Sequence, residues 1–152
     1  AFDTFILSDG MIGQSLVDAF GKGLKKSFGS LPGSTGKGSK VFADVASAAG
    51  IDSSGPYTSE SYDAAALIVL AMQAGGSADR ASIAKNVMAV ANGPGKKIYP
   101  GELGKALDLL AKGKAVDYEG ATGVNFTDVG EAQGSFLEKE IKGGKFKTKK
   151  QR

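Results

Sequence analysis

Ser8, Asp9 and Gly10 set a hydroxyl beside a carboxylate in a polar turn between an apolar run and a helical pattern. The chemistry open to them is narrow. The chain has no His and no Cys. That removes imidazole bases, thiol nucleophiles and the usual zinc sites together. A hydrolase using Ser8 and Asp9 would have no His base, and no Lys stands at a spacing that recommends a Ser-Lys dyad. The residues therefore read as those of a non-enzyme without cofactor or metal. A turn after a strand and before a helix lies at the strand's carboxyl end, where open α/β sheets keep their ligands. Asp9 serves equally there as a turn or N-cap residue. Tyr57, in Gly55-Pro56-Tyr57, offers apolar area with a polar tip, or packing alone. A loop at 32–39 superficially resembles a phosphate cradle. That motif needs Gly five residues before its Gly-Lys pair and Ser or Thr just after; Leu31 and Gly38 stand in those places.

The elements that must position these residues follow from periodicity. Residues 2–7 form a short apolar run with aromatic and β-branched members, as in a buried parallel strand. Leu16, Val17, Phe20 and Leu24 fall at helical spacing over 12–26, weakened by Gly21 and Gly23. Residues 28–31 fit a short strand. Val41, Phe42, Val45 and Ala49 mark a helix closed by Gly50. The stretch 57–76 holds the most apolar segment of the chain. Leu67, Ile68, Val69, Leu70, Ala71 and Met72 leave it no polar face, so this central helix is expected to be buried on most sides. Ser59 or Ser61 would cap it and Gly75-Gly76 end it. Two further amphipathic helices carry Ile83, Val87, Met88 and Val90, and Leu103, Ala106, Leu107 and Leu110. Segments at 123–126, 134–141 and 145–146 are β-like, with Gly143-Gly144 as a hairpin turn.

A length of 152 residues suits one domain, or pieces of two. Hydrophobic residues are 41% and charged residues 23%, ordinary for a folded protein. The net charge of +3 conceals an asymmetry. Residues 142–152 hold six of the 19 basic residues and no acid, and the other 13 face 16 acidic ones. A basic tail on an acidic body provides no stripe for a nucleic-acid backbone, and it reads as a solvated, frayed terminus. No nucleic-acid partner is expected. The chain opens in a run that reads as a strand already under way, so the N-terminus is expected upstream.

Three stretches together resemble a known family: Ser8-Asp9-Gly10 before an amphipathic helix; residues 54–66, with Gly55-Pro56-Tyr57; and residues 117–134 before a strand and a Gly-Gly turn. They resemble the C-terminal part of an ABC-transporter substrate-binding protein of the branched-chain amino acid type. The resemblance implies the type I periplasmic-binding-protein fold: two α/β lobes joined by three crossing segments and closing on a ligand. It implies an α/β chain of parallel strands with helices and a short antiparallel C-terminal segment. Residues 1–55 would end the second lobe, 56–114 give helices of the first, and 115–152 form a crossing segment and C-terminal strands that return to the second, ending in the basic tail 142–152. It implies an exported periplasmic or extracellular protein whose partners are a small amino-acid-like ligand, a membrane permease, and the missing first lobe or a swapped copy. Asp9 would bind the ligand's α-amino group, with Ser8 and Gly10 in the same turn, and Tyr57 would pack on its side chain. Asp9 departs from the Glu of the branched-chain binders by one methylene. The residues gripping the α-carboxylate lie mostly upstream. The alternative on the same fold is a sensor or interaction module, such as an amide-sensing regulator or a lipoprotein partner, without a transport role.

Overall fold

The computed structural model describes residues 2–152. In chain order the elements are β1 (Ile6–Leu7), α1 (Gln14–Phe20), β2 (Phe28–Pro32), α2 (Lys37–Ala48), α3 (Thr58–Gly75), α4 (Arg80–Ala91), β3 (Lys96–Ile98), α5 (Leu103–Ala111), β4 (Val116–Tyr118), β5 (Phe136–Lys142) and β6 (Lys145–Gln151). Two 3-10 turns, Asp9–Met11 and Gly21–Leu24, flank α1. The chain divides into two compact units. The first comprises the residues up to Ser34, Ser54–Tyr57 and Ser135–Arg152; the second comprises Thr35–Ser53 and Thr58–Gly134. Residues 35–53, grouped with 1–55 in the sequence reading, thus pack with 58–134. The physical reason is α2, whose Phe42 ring lies 5.1 Å from that of Tyr62 on α3.

The first unit is a four-stranded sheet in the order β1-β2-β5-β6. β1 and β2 are parallel, and β2, β5 and β6 are antiparallel. Parallel pairing early and an antiparallel segment at the end agree with the sequence reading. Leu7, Ile12, Val17, Leu24, Leu31 and Ile141 form its core. A Cβ on Gly29 would stand 2.3 Å from the Leu7 carbonyl oxygen, so no larger residue fits there without moving backbone. Three expectations need correction. The strand expected over 2–7 pairs only at Ile6–Leu7, and Ile6 is 78% exposed on the outer strand. The helix expected over 12–26 ends at Phe20, because Gly21 turns to φ +50° and the chain continues as a 3-10 turn. The terminus expected to be frayed is strand β6. It pairs with β5 across Gly143-Gly144, both at positive φ, a backbone that two glycines adopt without penalty.

The second unit packs α2–α5 with a two-stranded parallel sheet, β3-β4. Its main core gathers Ala66, Leu67, Leu70 and Ala71 of α3 with Val90, Ile98, Ala106, Val116 and Tyr118. α3 is buried on one side only: Ile68 and Val69 remain 48% and 44% exposed. Its packing partners take the stripe at 66, 67, 70 and 71, and no described element takes the other. α3 begins at Thr58, and the Ser59 hydroxyl donates to Glu60 Oε2 (2.9 Å). Gly76 at φ +61° follows its last residue, as the Gly-Gly signal implied. β3 and β4 were not foreseen. The β-like segment at 123–126 reduces to one bridge, Phe126 with Ala132.

Candidate functional site

β1 ends at Leu7, and the backbone turns at once. Ser8 is extended (φ −70°, ψ 164°), and Asp9, Gly10 and Met11 form a 3-10 turn. Met11 N–H donates to the Ser8 carbonyl and Ile12 N–H to that of Asp9, both at 3.0 Å. Asp9 Oδ1 accepts the Gly10 N–H at 2.7 Å. Among the described residues Oδ2 has no partner, and Ser8, Asp9 and Gly10 are all exposed. A Cβ on Gly10 would meet nothing within 4 Å. The turn therefore presents a free carboxylate oxygen, a hydroxyl and a bare backbone at the carboxyl end of a strand. Such a set can accept hydrogen bonds from a cation.

Tyr57 stands directly before α3. It is the one non-glycine residue at positive φ (62°) among the described residues, and it is 39% exposed. A bulky side chain in that region is a backbone outlier costing of order 1–3 kcal/mol, and such outliers gather at functional sites. Asp9 and Tyr57 belong to the same compact unit. Three open clefts in that unit, of about 630, 470 and 450 Å³, are lined by other residues.

The most connected polar group lies in the second turn of α3. Asp63 is 3% exposed. Its Oδ1 accepts from the Tyr118 hydroxyl and the Ala121 N–H (both 2.8 Å). Its Oδ2 accepts from the Thr122 N–H (2.9 Å) and hydroxyl (2.7 Å). Burial first, then the Asp63 charge, pushes the Tyr118 phenol far above its ordinary range. Gly120, at φ +59°, runs beneath the carboxylate, where a Cβ would come within 2.3 Å of Oδ1. This is a structural latch from α3 to the turn after β4, with every carboxylate oxygen engaged and none left for a ligand. The only signal for it in sequence was a carboxylate in the first turns of an apolar helix. Among the described residues no group of three or more acidic, His or Cys side chains could hold a metal ion. Among the described residues no helix is long and apolar enough to cross a membrane.

No family model matches the chain. The chemotactic signal transduction system substrate-binding protein BasB of Halobacterium salinarum is 41% identical over 68 residues, 45% of this chain and 16% of that protein. The crystal structure of a leucine binding protein, LivK, from Thermotoga maritima superposes with a TM-score of 0.66 at 18% identity. The match covers 97% of this chain and 37% of LivK. The chain thus spans little more than a third of that protein. By name, the first is a substrate-binding protein and the second a leucine binding protein.

Proposed function

We propose, from the type I periplasmic-binding-protein fold that this chain shares with LivK, that it is part of an extracytoplasmic solute-binding component of an ABC importer. Its partial coverage fits the C-terminal part of such a protein. The ligand is a small amino-acid-like solute, and the loaded protein is handed to a membrane permease. The observation that carries the reading is the Ser8-Asp9-Gly10 turn at the end of β1, with one carboxylate oxygen uncommitted. A carboxylate is the matching partner for an α-ammonium, in a charge-assisted bond. Ser8 and Gly10 supply a hydroxyl and an open backbone beside it. Tyr57 contributes apolar area against the solute side chain, and its strained backbone holds the ring in place. The two compact units are pieces of the two lobes, and upstream polypeptide completes them and grips the α-carboxylate.

The test is calorimetric titration of the complete protein with amino acids. Asp9→Asn should weaken binding by about 1.5–3 kcal/mol, the range for a hydrogen bond to a charged group. An unchanged affinity would remove Asp9 from the site. BasB favours a second reading, in which the loaded protein is read by a signalling partner instead of a permease. Cells lacking the gene separate the two: loss of uptake marks the importer, and loss of taxis with uptake intact marks the sensor.

A further inference from the structure

We propose that β6 and the cations beside it form a docking edge for an anionic phospholipid surface. β6 is an outer strand of its sheet, paired on one side only. Lys145, Lys147, Lys149, Lys150 and Arg152 are all exposed along it. Lys149 and Arg152 share Glu138, at 3.0 and 2.8 Å, and Lys142 pairs with Glu140 at 2.7 Å. Lys145, Lys147 and Lys150 make no ion pair among the described residues, although Lys147 and Lys150 stand opposite Glu140 and Glu138 in the ladder.

The ordinary explanation of such lysines is that they guard an open strand edge against pairing with another chain. Two features go beyond what a guard needs. Lys142 and Lys145 stand directly opposite each other in the ladder, and like charges so placed destabilise a hairpin. The register also jumps, from Lys139 opposite Thr148 to Glu138 opposite Lys150. That irregularity inserts Lys149 and gives the strand one more cation. Beside the turn, charge stands against the stability of the hairpin.

The type of cation selects the partner. Five of the six basic residues in 142–152 are Lys. An ammonium on a flexible stem is a point charge, without the planar fork that grips a defined carboxylate in two places. A row of such charges on an extended strand fits a diffuse plane of headgroup phosphates better than a shaped acidic pocket. Phe136, 47% exposed and bonded through its backbone to Arg152, adds an apolar ring of the kind that settles at the headgroup boundary. The other 13 basic residues face 16 acidic ones, so an anionic surface repels the remainder and turns this edge toward itself. The inference needs no solute and is independent of the transport reading.

The experiment is co-sedimentation of the complete protein with vesicles of equal parts phosphatidylglycerol and phosphatidylcholine, against vesicles of phosphatidylcholine alone. Binding is expected only to the first, and it should weaken as salt shortens the screening length. The triple variant Lys145→Gln, Lys147→Gln, Lys150→Gln should bind about a hundredfold more weakly, from roughly fivefold per lysine near such a surface. Its thermal midpoint reports whether it remains folded; if it does not, the salt dependence of the parent decides. Equal binding to both vesicles, no binding at low salt, or a folded triple variant that binds like the parent overturns the proposal. So does retention by duplex DNA or an acidic protein with none by vesicles.

Discussion

Replacing Asp63 with Ala should destabilise the protein more than an ordinary helix substitution does. The carboxylate is buried and accepts four hydrogen bonds. Truncation strands the Tyr118 hydroxyl, which is fully buried, and the Ala121 N–H, whose residue is 1% exposed. The Thr122 groups are half-buried and partly recover water. An unsatisfied buried donor costs about 1–3 kcal/mol, against which stands the relieved desolvation of one carboxylate. The net expectation is about 3–5 kcal/mol. Asp63→Asn keeps the shape but turns an NH2 group toward donors, so about 2 kcal/mol is expected. Urea titration of the complete protein measures both, with the midpoint falling and the slope unchanged. Gly120→Ala supplies a cross-check, because its Cβ would press on Asp63 Oδ1 at 2.3 Å. In the Asp63→Ala background the clash with the carboxylate is gone, leaving the backbone cost of positive φ, about 1–2 kcal/mol, and the contact with Tyr118 Cε1 at 2.7 Å. The two substitutions should therefore be strongly non-additive. A loss below about 1 kcal/mol for Asp63→Ala, or simple additivity with Gly120→Ala, would refute the latch.

Tyr118 should resist alkali. Its folded pKa lies above the ordinary 10.0, so the stability it contributes is complete below pH 10.0 and declines as pH rises beyond that value. Ultraviolet titration should show one tyrosine ionising only as the chain unfolds, and an early, reversible fourth phenolate among the four tyrosines would contradict it. Tyr57→Gly removes a side chain from a backbone that glycine adopts freely, so stability should stay within about 1 kcal/mol of the parent or rise. Solute affinity should fall in the same variant; if stability falls and affinity does not, the ring is packing alone.

Much of the fold was legible because apolar spacing carries most of the information about helices and buried strands. Leu67 and Leu70 fixed a core helix, Gly76 its end, and Gly143-Gly144 the hairpin. What escaped depends on contacts distant in sequence. β3 and β4 are three residues each, too short for any alternation. β6 begins Lys145-Phe146-Lys147-Thr148-Lys149-Lys150, and its charge hid the strand beyond Phe146, which only pairing with β5 stabilises. The burial of one stripe of α3 and the exposure of Ile68 and Val69 depend on which neighbours are present, not on composition. At the candidate site, the Ser8-Asp9-Gly10 turn was visible as punctuation between two periodic runs. The strain at Tyr57 was not, since a tyrosine after Gly-Pro gives no sign of a left-handed backbone. The Asp63 latch was hidden because its donors lie 55 to 59 residues away.

The pairing of β2 with β5 joins Phe28–Pro32 to residues near the other end of the chain, and this orders events during synthesis. When β1 and β2 leave the ribosome, their antiparallel neighbours are about a hundred residues from being made. At about 5–20 residues per second that is a wait of roughly five to twenty seconds. Throughout it, Leu7, Leu31 and the rest of the sheet's apolar face have no β5 or β6 beside them. The second unit, whose last residue is Gly134, is complete before the sheet can close. A chain truncated after Gly134 and released from the ribosome should therefore protect Tyr118 and Ile98 from exchange while Leu7 and Leu31 remain open to a chaperone.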